Sequence, residues 1–167
     1  MQVNSQIDPA ALVERLAAEA TPRPGALDAW RSFLQAHATL MRRLAADLAE
    51  ATGLSLGDFD VLAQLAVAGG ELRMSELAAR AFSSRSGMTR RVARLVDEGL
   101  VRRASDEADA RGVVVALTDK GIARLAEATP IHLRGVVELF VFQLTDKELA
   151  LLKRALDKVT ADSSFGT

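Results

Sequence analysis

Between Arg80 and Arg103 the chain carries seven arginines (80, 85, 90, 91, 94, 102 and 103), no lysine and two acids, Asp97 and Glu98. A guanidinium presents a planar fork of donors that fits a phosphate or the major-groove edge of guanine. An all-arginine cluster therefore points to nucleic-acid contact rather than to solubility alone. The segment bears +5, whereas the remainder, with 14 basic and 20 acidic residues, bears −6, and the overall −1 hides this division. Two acids are too few to pair seven bases within the segment.

Other chemistries fall away. With no cysteine, disulfides, zinc thiolate sites, thiol nucleophiles and cysteine redox sensing are excluded. The two histidines, His37 and His132, lie 95 residues apart, so a metal site would rest almost wholly on carboxylates. No glycine-rich phosphate loop, Cys/His pair or motif-placed Ser-His-Asp set occurs, which argues against an enzyme and against a bound cofactor. The first residues, Met1 to Ser5, lack the basic and apolar regions of a signal peptide, and no apolar run is long enough to span a membrane. The expectation is a soluble, cytoplasmic protein.

The elements that must position the arginines follow from periodicity and caps. Thirty alanines and only seven aromatics favour helix throughout. A short helix is expected from Pro9 to Ala20 after Asp8 as cap. Leu27, Trp30, Leu34, His37, Met41, Leu44 and Leu48 keep a 3-4-3-4-3-4 spacing, the seam of a long packed helix closed by Gly53. Ser55 and Asp58 have capping-box spacing ahead of a helix that Gly69-Gly70 stops. A short helix over 75–81, a three-residue break at Phe82-Ser83-Ser84 and a helix from about Ser84 to Glu98 ending at Gly99 come next. Residues 100–104 and 113–117 are strand-like, with a polar loop between them that makes a hairpin. Thr118 caps a long helix containing Pro130, and Thr145 to Glu148 is a second capping box before a last helix bearing Leu149, Leu152, Leu156 and Val159.

Helix, short turn, helix and β-hairpin, in that order, make a winged helix-turn-helix. With Val92 turned to the core and about 100° per residue, Met88, Leu95 and Val96 fall on the inner side. Ser86, Gly87, Arg90, Arg91 and Arg94 point outward, and Arg85 can swing out from the first turn. That face suits the major groove, with Arg85, Ser86, Thr89, Arg90, Arg91 and Arg94 as contacts. In the loop, Arg111 can enter a minor groove, held by Asp109 two residues earlier.

These pieces together resemble the MarR family of winged-helix transcriptional regulators over 27–159, about four-fifths of the chain. The matching text is Ser75-Glu76-Leu77-Ala78, Ser84-Arg85-Ser86-Gly87-Met88-Thr89-Arg90, Val92-Ala93-Arg94-Leu95 and Glu98-Gly99-Leu100-Val101-Arg102-Arg103. The wing pattern appears as Asp109-Ala110-Arg111 followed by Leu117-Thr118. Two positions depart from it: Phe82 stands in the turn where many relatives have glycine, and Ala110 where a second arginine is common.

The fold class expected is mainly α with a small β-hairpin wing. Its segments are dimerisation helices over 1–53, the winged helix-turn-helix lobe over 54–118, and dimerisation helices over 119–167. The resemblance implies a homodimer on a pseudo-palindromic operator in double-stranded DNA, most often a repressor, released by a small aromatic or phenolic effector. The apolar spacing of the two terminal helical regions exceeds what one small lobe needs, which independently favours a dimer. Candidate effector contacts are Trp30, His37, Met41, Arg43, Phe59 and Asp60, with Asp60 linked to Arg91. The alternative is a winged-helix protein-interaction or dimerisation module that binds no DNA; arginine on the outward helix face argues against it.

Overall fold

The computed structural model describes residues 8–20, 23, 25–81, 84–105 and 113–161. Phe82, Asp109, Ala110 and Arg111 lie outside the described residues. The chain divides into two compact units, residues 1–41 and 42–167.

In the first unit, helix α1 (Pro9–Ala20) opens as expected. The Asp8 carboxylate accepts the Ala10 N–H at 3.0 Å, and Pro9 fills the first position, where no N–H is needed. Helix α2 (Ala26–Thr52) contributes residues 26–41 here. Its seam is solvent-facing in the single chain: Trp30, Leu34 and Met41 are exposed. Trp30, Phe33 and His37 stack in a row, with ring centroids 5.9 and 6.3 Å apart.

The second unit holds the buried core. Leu44 and Leu48 of α2 are buried, the latter completely. Helix α3 (Leu56–Val67) is capped by Ser55, whose Oγ accepts the Asp58 N–H at 3.1 Å. Phe59, Val61, Leu62 and Leu65 form its inner face. Strand β1 (Glu71–Arg73), helix α4 (Met74–Arg80) and helix α5 (Arg85–Asp97) follow. Gly99, at φ +72°, takes the left-handed conformation that turns the chain out of α5, a conformation strained for other residues. Strands β2 (Val101–Ser105) and β3 (Val113–Leu117) then pair antiparallel, Arg103 opposite Val115.

The sheet has three strands rather than the expected two, in the order β1-β3-β2, because Leu72 of β1 pairs with Val115 on the other edge of β3. Helix α6 (Asp119–Leu139) starts at Thr118, which accepts the Gly121 N–H at 3.0 Å, and continues through Pro130. A short 3₁₀ turn (Val141–Gln143) precedes helix α7 (Asp146–Ala161). The second capping box forms: the Thr145 N–H and hydroxyl donate to Glu148 Oε2 at 2.8 and 2.7 Å. These two hydrogen bonds favour the ionised carboxyl and hold the Glu148 pKa below its ordinary value.

Fully buried Leu48, Val61, Leu62, Leu65, Leu77, Met88, Val92, Leu95 and Val115 make one core under α3, α4, α5 and the sheet. It is this core that fixes which side of α5 faces out. Among the described residues, no helix is long and apolar enough to cross a membrane.

Candidate nucleic-acid interface

Helix α5 is amphipathic in an unusual sense: its inner stripe is apolar and its outer stripe is mostly cationic. Met88, Val92 and Leu95 are completely buried, on the side that the 100° periodicity assigns to the core. Ser84 caps the helix, its Oγ accepting the Gly87 N–H at 3.1 Å, so the first turn is ordered where the arginines begin. Arg85, Ser86, Thr89 and Arg90 are exposed and line one shallow concavity. The Thr89 hydroxyl is turned back on the Arg85 carbonyl at 2.9 Å. Neither Arg85 nor Arg90 joins an ion pair among the described residues.

Arg91 and Arg94 differ. The Arg94 Nη2 donates to both carboxylate oxygens of Asp58, at 2.5 and 2.6 Å, and the Arg91 Nη1 to Asp58 Oδ1 at 3.1 Å. The Arg94 Nε also lies 4.0 Å from Glu98 Oε1. Arg91 and Arg94, expected to point outward as open contacts, are thus engaged by a carboxylate from α3 that is remote in sequence.

The expected link between Asp60 and Arg91 is corrected too, because the partner is Asp58. Two residues correspond to about 200° around a helix, so Asp60 faces away and instead accepts from Gln64 Nε2 at 3.4 Å. Sequence reasoning missed Asp58 as a site residue. In the sequence it is the fourth residue of a capping box, three after Ser55, and that role gives no hint of a second partner.

Arg103 is another residue not singled out. From β2 it donates to the backbone carbonyl of Thr89 at 3.3 Å, tying the base of the wing to α5. The strands that lead into the wing are paired out to Ser105 and Val113, while Asp109 and Arg111 lie outside the described residues.

The candidate effector residues fall in both units. Trp30, His37 and Met41 belong to residues 1–41, all exposed. Arg43 is exposed on α2, Asp60 half-buried, and Phe59 a core residue whose ring lies 4.6 Å from that of His132. His132 is the histidine packed into the second unit. Burial lowers its pKa, the Asp60 charge pulls the other way, and its Nδ1 is buried with no hydrogen-bond partner in the described residues. The 128–132–135 spacing shared with buried Ala128 and Gly135 was the available clue. Among the described residues, no group of three or more His, Asp or Glu could hold a metal ion.

With this geometry established, the comparisons with known proteins agree on one family. The MarR family model matches residues 52–112. Sco3205 of Streptomyces coelicolor, a MarR family transcriptional regulator crystallised with DNA, is 30% identical and superposes with a TM-score of 0.78, covering 84% of this chain and 92% of that one. AbsC, a MarR family transcriptional regulator of the same organism, is 29% identical with a TM-score of 0.79, covering 85% and 96%. A mutant MarR of E. coli complexed with operator DNA is 28% identical with a TM-score of 0.70, covering 77% and 91%. No curated protein sequence matches the chain significantly. Fold, arginine-bearing helix and sequence likeness converge: the chain belongs to the MarR family of winged-helix transcriptional regulators and is not an enzyme.

Proposed function

We propose that the protein is a sequence-specific DNA-binding repressor that acts as a homodimer on a pseudo-palindromic operator. One observation carries this reading. Ser86 and Arg90 point away from the buried Met88, Val92 and Leu95, and Arg85 and Thr89 stand exposed beside them around one shallow concavity. A helix locked to the core on one side and bearing guanidinium groups on the other is what the major groove admits. Arg111, with Asp109 holding it, is assigned to the adjacent minor groove. The two relatives crystallised with DNA, Sco3205 and the E. coli protein, support docking of this kind.

Dimerisation is supported by apolar side chains that the single chain leaves in water, among them Leu133, Phe142, Leu151 and Leu156 in the second unit. Release by a small aromatic or phenolic ligand is the finer part of the reading. The stacked row Trp30, Phe33 and His37 suits such a ring. A gel shift of the purified protein on the DNA upstream of its own gene tests the whole reading. Retardation at a defined site, relieved by a phenolic acid, is expected; no retardation at low salt would overturn it.

A further inference from the structure

Asp58 occupies a peculiar place for an acid: it is only 5% exposed, yet it sits at the edge of the surface assigned above to DNA. Its carboxylate is saturated. Arg94 donates to both oxygens, Arg91 to Oδ1, and the Ser55 hydroxyl to Oδ2 at 2.6 Å. Ser55 and Asp58 are themselves fixed by the start of α3, since the Asp58 N–H donates back to Ser55 Oγ. The carboxylate is therefore held by its own helix start as well as by the two arginines.

The preceding residue completes the arrangement. A Cβ at Gly57 would collide with the Arg91 guanidinium, so the absent side chain is the space in which that guanidinium lies. Arg91 is correspondingly the more enclosed of the two, its side chain 33% exposed against 53% for Arg94. With Glu98 beside Arg94, two guanidinium groups are matched by two carboxylates. Such a cluster presents no net charge to a phosphate backbone and so displaces no counterion from the duplex. Pulling either arginine onto a phosphate would leave a desolvated carboxylate close to the duplex, an unfavourable exchange.

We infer that Asp58 is a built-in counter-charge that withholds Arg91 and Arg94 from the DNA backbone, so that α5 engages DNA through Arg85, Ser86, Thr89 and Arg90. Asp58 is a specificity-determining residue that acts through the two arginines without touching DNA. Phosphate contacts raise affinity for every sequence alike, whereas base contacts discriminate. Removing two phosphate-seeking charges per protomer lowers the sequence-independent affinity and leaves the discrimination in place. The inference rests on the reading of α5 as the groove-facing helix.

The test is a set of fluorescence-anisotropy titrations of the full chain. The probes are a random-sequence duplex and a duplex enriched by the wild-type protein from a random pool, over about 50 to 200 mM KCl. Asp58→Asn keeps the size of the side chain and removes its charge. It is expected to tighten binding to the random duplex about tenfold at the low-salt end and to steepen the salt slope by about one unit per arginine freed. The preference for the enriched duplex shrinks accordingly, and adding Arg91→Gln and Arg94→Gln returns the slope to the wild-type value.

Gly57→Ala is the second variant: it evicts Arg91 sterically with no change of charge and favours helix, and it is expected to steepen the slope by about one unit per protomer. Wild-type slope and random-duplex affinity in either folded variant would overturn the inference. So would Arg91→Gln and Arg94→Gln alone flattening the slope as much as Arg90→Ala does. Failure of the wild-type protein to bind either duplex at any salt is a different result, read without any variant, and removes the DNA-binding reading together with the inference built on it.

Discussion

The Arg94 guanidinium and the Asp58 carboxylate, 36 residues apart in the chain, meet through two hydrogen bonds of 2.5 and 2.6 Å and so tie α5 to the first turn of α3. Asp58 is enclosed while Arg94 is half in solvent, which places the pair between a surface ion pair and a buried one. Asp58→Ala is expected to lower unfolding free energy by about 1–3 kcal/mol, since it deletes charge-assisted bonds without stranding a buried charge. Urea denaturation checks this. Asp157→Ala, which breaks the exposed pair with Lys153, is the control and should shift stability by no more than about 0.5 kcal/mol.

Gly121 approaches the Leu100 carbonyl so closely that a Cβ would strike backbone rather than a mobile side-chain end. This contact seats α6 on the start of β2. Gly121→Ala is therefore expected to destabilise by about 1–3 kcal/mol, despite the better helix propensity of alanine. Thermal unfolding of the variant at a temperature equal to or above the wild-type value would contradict the contact.

His132 supplies a pH dependence of stability. Its pKa is lowered from the ordinary 6.5 because burial beside Phe59 disfavours the imidazolium, with Asp60 partly opposing. The folded state thus binds this proton less readily than the unfolded chain. The stabilisation is complete above pH 6.5 and is lost as pH falls through the lowered folded value. Comparing urea midpoints at neutral and mildly acidic pH, His132→Gln should lose less stability on acidification than the wild type. Asp60→Asn should lose more, because the opposing charge is gone. Equal acid sensitivity in all three proteins would contradict the assignment.

Much of this was legible in the residues and some was not, for definite reasons. The burial of Met88, Val92 and Leu95, the caps at Ser55, Thr118 and Thr145, and the turn at Gly99 are local properties, set by helical period and by hydrogen bonds spanning three or four residues. Strand β1 escaped because Glu71-Leu72-Arg73 is too short to show alternation and owes its conformation to pairing with β3. Asp58 escaped as a partner of Arg91 and Arg94 because only the packing of α3 against α5 brings them together. The distinction between His37 and His132 likewise depends on burial: His37 lies on a seam that remains exposed in the single chain.

The dimer has its own test. Leu151 and Leu156 are exposed on α7, and in an isolated chain they have little reason to be leucine. Leu151→Glu combined with Leu156→Glu should leave a folded monomer in sedimentation velocity at micromolar concentration, with weakened affinity for any two-fold operator. A wild-type protein that sediments as a stable folded monomer would contradict dimerisation itself.

The central claim, that the outward face of α5 reads duplex DNA, is tested most directly by the operator affinity of Arg90→Ala at fixed salt, with and without Arg85→Ala. If Arg90 reads a base, its removal should weaken binding by about 1–3 kcal/mol, roughly a five- to 150-fold loss, with relaxed sequence preference, and loss of Arg85 should weaken it further. Unchanged affinity and unchanged preference in the double variant, with the fold intact, would contradict the claim.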